Sequence, residues 1–124
     1  MAGDRKKIIA VDDNPGNLSA IKNTLKDTYM VYPTPSAVDM FELMEHVLPD
    51  LILLDVEMPE MNGYEAIKKL KSNDKYREIP VIFLTGMSDA QSEKEGLNLG
   101  AADFIHKPFE TPILLERIKT HISS

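Results

Sequence analysis

The sequence contains no cysteine, which excludes a disulfide framework and any metal site built from thiolates. A bound metal would therefore need oxygen or imidazole ligands. The sequence also lacks an apolar run long enough to cross a membrane, and its first residues, MAGDRKK, lack the apolar stretch of a signal peptide. These absences predict a soluble, cytoplasmic protein that makes no contact with a membrane.

Basic residues are scarce relative to acidic ones. There are 14 lysine and arginine residues against 20 aspartate and glutamate residues, which gives a formal net charge of −6 at pH 7. Because nucleic-acid binding depends on clustered cations that neutralise phosphates, direct contact with a nucleic acid is not expected. The sequence also has no internal repeat or Gly/Ser-rich linker, and its length suits one domain spanning residues 1–124.

Short apolar segments alternate with longer amphipathic ones along the chain. The short segments have the length of strands and span residues 6–11, 30–32, 51–55, 81–85 and 103–106. Between them, apolar residues recur at helical spacing in the sets Leu18/Ile21/Leu25, Phe41/Met44/Leu48 and Leu115/Ile118/Ile122. A βα unit repeated five times predicts an α/β fold with a doubly wound parallel sheet, in which ligands bind beyond the carboxyl ends of the strands.

Polar residues occupy the predicted carboxyl ends of four of these strands. They are Asp12 and Asp13, Asp55, Thr85 and Lys107. Each alone has an ordinary structural explanation, such as a helix cap or a lysine facing solvent. Because the strand ends meet at one edge of a parallel sheet, the five residues together predict a functional site there.

Three clustered carboxylates would repel one another unless a cation neutralised them. Oxygen ligands of this kind suit Mg²⁺, which keeps several waters and shares phosphate oxygens readily. We expect the cation between Asp13 and Asp55, with coordination positions open for a phosphoryl group. The Asp55 carboxylate can then act as a nucleophile, while Mg²⁺ and Lys107 neutralise the transferred oxygens.

Four segments of the sequence, IIAVDDN, DLILLDVEMPEMNGYE, VIFLTG and ADFIHKPF, resemble the successive signature segments of the receiver domain of two-component response regulators, including chemotaxis regulators. The resemblance implies a flavodoxin-like (βα)5 fold with sheet order 2-1-3-4-5 and a cis peptide bond before Pro108. By the same resemblance, Asp55 would be the phosphoacceptor that becomes 4-aspartylphosphate. The cation would be served by the acidic pair Asp12 and Asp13 and by the Glu57 carbonyl as a further metal ligand. Thr85 would be the switch hydroxyl, and Lys107 would be the lysine that contacts the phosphoryl group.

The same resemblance implies a signalling role rather than turnover of a separate substrate. The phosphoryl donor would be the phosphohistidine of a sensor histidine kinase or a phosphotransfer protein, with Mg²⁺ as cofactor and Mn²⁺ or Ca²⁺ able to substitute. Phosphorylation would switch the face formed by the fourth helix, fifth strand and fifth helix (the α4-β5-α5 face), through which a homodimer can form. Phe104 occupies the place of the aromatic switch residue, although a plain core phenylalanine is the alternative, and Glu57 and Met87 occupy positions that tune acyl-phosphate lifetime.

The predicted fourth helix, residues 88–99, has the weakest helical pattern. Its apolar stripe rests mainly on Ala90 and Leu97, and Gly96 in its interior costs about 1 kcal/mol relative to alanine. We therefore expect this helix to be weakly held and able to shift. Elsewhere, Gly63 is expected to shape the turn after Asp55, and Gly86 to leave space beside it.

Other functions fit the residues less well. A flavodoxin-like cofactor site needs hydroxyl and N–H groups after the first strand, where DDNPGN offers anions. A haloacid-dehalogenase-like phosphatase would need aspartate two residues after Asp12, where Asn14 stands. His46, His106 and His121 lack ligand spacing, so we do not interpret them as a metal site. A receiver that acts as a phosphorylation-independent interaction module remains the alternative, and an output domain is expected outside this chain, which resembles a receiver excised from a longer regulator.

Overall fold

The computed structural model describes residues 5–86 and 90–122. Within these residues, five strands alternate with five helices. Their bounds are β1 Lys7–Val11, α1 Pro15–Leu25, β2 Met30–Thr34, α2 Ala37–Leu43, β3 Leu51–Asp55, α3 Gly63–Lys71, β4 Val81–Thr85, α4 Ala90–Asn98, β5 Asp103–His106 and α5 Thr111–His121.

The five strands form one parallel sheet in the order β2-β1-β3-β4-β5, which confirms the predicted flavodoxin-like topology. Every residue of β3 and β4 is buried, as expected for central strands covered on both faces. The edge strand β2 extends two residues beyond the prediction and includes Pro33, which an edge strand tolerates because one side of its backbone needs no partner. The sheet thus aligns the carboxyl ends of all five strands, including the four that carry the candidate site residues.

Two layers of helices cover the sheet. Ile8 and Ala10 of β1 point to the layer of α1 and α5, whereas Ile9 and Val11 point to the layer of α2 and α3, because successive strand residues face opposite sides. On α5 the fully buried residues are Leu114 and the predicted Ile118, whereas the predicted Leu115 is only half-buried. Both layers therefore pack on the same strands.

The predicted apolar stripe of the second helix is wrong at its end. Helix α2 ends at Leu43, and the N–H of Met44 caps it by donating to Met40 and Glu42 carbonyls. Leu48 lies outside the helix with 53% of its surface exposed. The proline at position 49 explains this, because a residue before proline is disfavoured in helical conformation.

The predicted apolar stripe of the fourth helix is also wrong. Leu97 is 49% exposed and is not part of a buried stripe. Gly96 lies on the buried face instead, where an added Cβ would be 2.6 Å from Phe104 Cζ and 3.0 Å from Phe83 Cδ2. This glycine lets the helix backbone approach two aromatic rings closely. Residues 87–89, including the position of Met87, and the Ala90 side chain are outside the described part.

Candidate functional site at the sheet edge

The three carboxylates that the sequence places at strand ends converge in space. Asp12, Asp13 and Asp55 each offer an oxygen, and these oxygens lie within 4.8 Å of one another. Asp12 and Asp55 are buried, whereas Asp13 is exposed. The cluster therefore concentrates negative charge in a small volume that solvent reaches at Asp13.

Lys107, the residue after β5, adds an ammonium group to the acidic cluster. Its ammonium lies 3.0 Å from Asp12 Oδ2 and 3.0 Å from Asp55 Oδ1. Its backbone N–H donates to the Thr85 carbonyl at 2.8 Å, and the bond to Pro108 is cis, as predicted. Burial lowers the pKa of the ammonium, but hydrogen bonds to the two carboxylates and their charges outweigh that effect and raise it. Lys107 thus stays charged and partly offsets the carboxylates.

Asp12 is held by the start of the first helix. Its Oδ1 accepts the N–H of Asn14 at 2.9 Å, and its Oδ2 accepts the Asn17 side-chain amide at 3.2 Å. Asn14 also caps α1, because its side chain accepts the N–H of Asn17. An asparagine before Pro15 signals such a cap in the sequence, but the contact between Asn17 and Asp12 has no sequence signal.

The Asp55 carboxyl has a perturbed pKa. Burial raises this pKa from 3.8 to about 6, and the charge of Asp12 adds to the increase, whereas hydrogen bonds from Lys107 and the N–H of Glu57 oppose it. The Glu57 N–H donates to Asp55 Oδ1 at 3.3 Å. The carboxylate is therefore ionised at neutral pH and lacks full neutralisation by protein groups.

The remaining residues singled out by the sequence are glycines, a threonine and a phenylalanine. A Cβ at Gly63 would be 2.6 Å from the Asp55 carbonyl, so only glycine lets α3 begin this close to β3. Thr85 is buried, and Gly86 beside it is exposed with open space where a Cβ would lie. Phe104 is buried, with its ring centroid 5.6 Å from that of Phe83.

The three histidines lie away from the acidic cluster. His46 is exposed after α2, His106 Nε2 is 3.6 Å from a Glu93 oxygen, and His121 Nε2 is 2.9 Å from Asp103 Oδ2. Across residues 5–86 and 90–122, the only group of three acidic or histidine residues with ligand atoms close enough for one metal ion is Asp12, Asp13 and Asp55. No helix in these ranges combines the length and apolarity needed to cross a membrane.

This arrangement has a known counterpart. The sequence profile of the response regulator receiver domain family matches residues 8–119. The chain belongs to the response regulator receiver domain family. Similar receiver proteins include the polar-differentiation response regulator DivK of Brucella anthropi, which is 31% identical with 94% of this chain and 96% of DivK covered.

Two further comparisons extend this likeness. The Probable cyclic di-GMP phosphodiesterase of Vibrio cholerae is 40% identical over 117 residues, covering 94% of this receiver domain but 26% of the relative. The chain thus spans about a quarter of the length of several curated relatives that it matches. A similar solved structure is the receiver domain of sensor histidine kinase PA1611 from Pseudomonas aeruginosa, which has a magnesium ion coordinated in its active site cleft. The two chains are 27% identical with a TM-score of 0.87, and the alignment covers 97% of this chain and 99% of that one.

Proposed function

We propose that this receiver domain accepts a phosphoryl group on Asp55 from the phosphohistidine of a sensor histidine kinase or a phosphotransfer protein. The observation that supports the proposal is the contact of one buried carboxylate, Asp55, with both an acidic pair and the Lys107 ammonium at the sheet edge. A salt bridge needed only for stability would not place two extra carboxylates beside it, because they repel one another.

The transfer follows from the ionised state of Asp55. A carboxylate oxygen of Asp55 forms a bond to phosphorus while the bond from phosphorus to the donor nitrogen breaks, and the electron pair of that bond returns to the donor imidazole. Lys107 is 3.0 Å from the attacking carboxylate and can offset the charge of a transferred oxygen as a compact point charge. Asp12 holds that ammonium in place through its own contact.

The donor set fits Mg²⁺, because all of its ligands are oxygens and two of the three carboxylates are buried together. Asp12, Asp13 and Asp55 would hold the ion with the carbonyl of Glu57, and Mn²⁺ or Ca²⁺ can substitute. A bound divalent ion would neutralise charge on the phosphoryl oxygens. The exposed position of Asp13 leaves the solvent side of the site open for the donor.

We further propose that phosphorylation switches the α4-β5-α5 face and so controls a partner, an output domain outside these residues or a second receiver. Thr85 at the end of β4 would move its hydroxyl toward the phosphoryl group, and Phe104 would repack with it. Phe104 contacts both Phe83 and the backbone at Gly96, so its movement reaches α4 directly.

Phosphorylation of Asp55 can be tested by intact-mass analysis with acetyl phosphate and Mg²⁺. We expect one phosphoryl group on the wild type, none on Asp55→Asn, and none when EDTA replaces Mg²⁺. Asp74→Asn is the matched control, because the Asp74 side chain is 91% exposed and lies outside the site. Equal modification of wild type and Asp55→Asn would contradict the assignment of Asp55 as the acceptor. An unmodified wild type would favour the phosphorylation-independent interaction module.

The switch can be tested by amide hydrogen exchange with beryllofluoride and Mg²⁺. We expect protection to change in residues 90–99 and around Phe104, and Thr85→Ala to remove most of that change. A response confined to residues 56–61, beside the metal ligands, would show that the signal does not take this route.

A further inference from the structure

The groove between α2 and α3 combines an apolar floor with walls of opposite charge. It is a cavity of about 520 Å³ on the helical layer away from α5. Val38, Phe41 and Met61 supply the floor, and Val38 is 43% exposed although it is aliphatic. A second, smaller cavity shares Val38 and Met61 with it, so the groove continues toward the start of α2.

The α2 wall is acidic. Residues 37–50, which comprise α2 and the segment after it, contain no lysine or arginine. Glu42 and Glu45 line the groove and are exposed. Both lie near the carboxyl end of α2, where the helix dipole disfavours negative charge, so helix stability does not explain them.

The α3 wall is basic. Lys68, Lys69 and Lys71 lie in the last turn of α3, and Lys69 lines the groove, whereas the Lys71 ammonium donates to two backbone carbonyls. Among the described residues, no ion pair within 4.0 Å joins Lys69 to Glu42 or Glu45. The opposite charges of the two walls therefore do not neutralise each other by contact within one chain.

We propose that this groove is a self-complementary docking surface for a second copy of the chain. A two-fold axis along the groove would place the acidic α2 wall of each copy on the basic α3 wall of the other, with the apolar floors facing each other. A two-fold axis across the groove would instead place like charges together, which is disfavoured. The charge pattern thus selects both the partner and its orientation, and it does so without any phosphoryl group or metal.

Sedimentation velocity of the whole chain at low ionic strength, without metal or phosphodonor, tests this dimer. We expect dimers to form as concentration rises from about 10 μM to about 1 mM. Glu42→Lys and Lys69→Glu should each weaken the dimer at least about tenfold, because each places like charges in contact. The double variant Glu42→Lys/Lys69→Glu keeps the net charge and should restore the dissociation constant to within about threefold, since coupled charges are not additive.

The controls separate this surface from the α4-β5-α5 face. Glu116→Lys and Lys119→Glu make the same charge changes at exposed positions on α5 and should leave the dimer unchanged. Glu45→Lys provides a second test of the acidic wall if Glu42→Lys fails to fold. The proposal is overturned if the wild type stays monomeric to about 1 mM, if the double variant associates as weakly as the single ones, or if the α5 variants weaken the dimer as much as the groove variants.

Discussion

Individual charges determine the properties of the sheet-edge site. Lys107 contacts Asp12 and Asp55 at the same distance, so one ammonium is shared between two buried carboxylates. Burial raises the pKa of Asp55 from 3.8 to about 6, and the shared lysine only partly opposes that increase. Asp55 is therefore a carboxylate that folding makes harder to ionise, in contrast to an ordinary salt-bridged aspartate.

This pKa predicts a pH-dependent cost of folding in the metal-free protein. Because the folded state holds a proton on Asp55 more tightly than the unfolded chain does, stability contributed by this group falls as pH rises from about 4 to above 6. Asp55→Asn should remove that penalty and be more stable than wild type at pH 7.5 by about 1–2 kcal/mol. This is less than the whole pKa shift would give at about 1.36 kcal/mol per unit, because solvent reaches the site and screens the charge. The advantage should vanish near pH 4. Urea unfolding in EDTA at both pH values measures it, with Asp74→Asn as control, and a pH-independent difference would refute the assignment.

The residues of the site were predictable to the extent that they lie at strand ends. Asp12, Asp13, Asp55 and Lys107 meet because parallel strands align their carboxyl ends, and short apolar runs reveal where those ends are. The contact between Asn17 and Asp12 was not predictable, because it depends on the angle at which α1 leaves the strand. Nor did the sequence reveal that Asp103 accepts hydrogen bonds from Arg117 and His121, since that contact depends on how α5 packs on β5.

At the scale of elements, α4 differs from the helices around it in how it contacts the sheet. Its buried face carries Gly96 at the point where the rings of Phe83 and Phe104 come closest. The sequence pattern suggested a helix weakened by glycine, and the structure gives that glycine a packing role. Periodicity could not predict this, because Leu97 matched the apolar pattern yet is exposed.

Gly96→Ala tests whether helix propensity or the close contact with the Phe104 ring decides how this position affects stability. Alanine should favour the helix by about 1 kcal/mol, but its Cβ would lie 2.6 Å from Phe104 Cζ, and overpacking of this kind costs about 1–3 kcal/mol. We therefore expect a net loss of stability of about 1 kcal/mol in urea unfolding. Phe104→Leu, which shortens the opposing side chain, should make the same alanine substitution neutral or stabilising. If Gly96→Ala stabilises the wild-type background, the close contact does not control this helix.

At the scale of the molecule, one sheet carries both helical layers. Leu25 of α1 and Ile67 of α3 are each fully buried, on opposite faces of the same five strands. The alternation of strand and helix patterns predicted this sandwich and its parallel sheet, whereas the sheet order came from the family resemblance. The end of α2 was mispredicted because Leu48 continued an apolar spacing beyond the cap at Met44.

The shared sheet predicts that the two layers unfold together. Leu25→Ala and Ile67→Ala should each lower the free energy of unfolding by about 2–5 kcal/mol, the usual cost of a core cavity. In both variants, urea curves from far-UV circular dichroism and from tyrosine fluorescence should coincide, as for a two-state domain. Leu48→Ala, at an exposed position, should change stability by less than about 0.5 kcal/mol. Separate midpoints for the two probes would show that one layer melts before the other.

The contact of one lysine with two of three clustered aspartates also determines which ions suit the sheet edge. With all four side chains ionised, Asp12, Asp13, Asp55 and Lys107 sum to a formal charge of −2. A monovalent ion would leave this edge anionic and repulsive to a phosphoryl donor, whereas a divalent ion balances it completely. If the proposed function holds, the domain would therefore accept a phosphoryl group only when both the donor and a doubly charged cation are present.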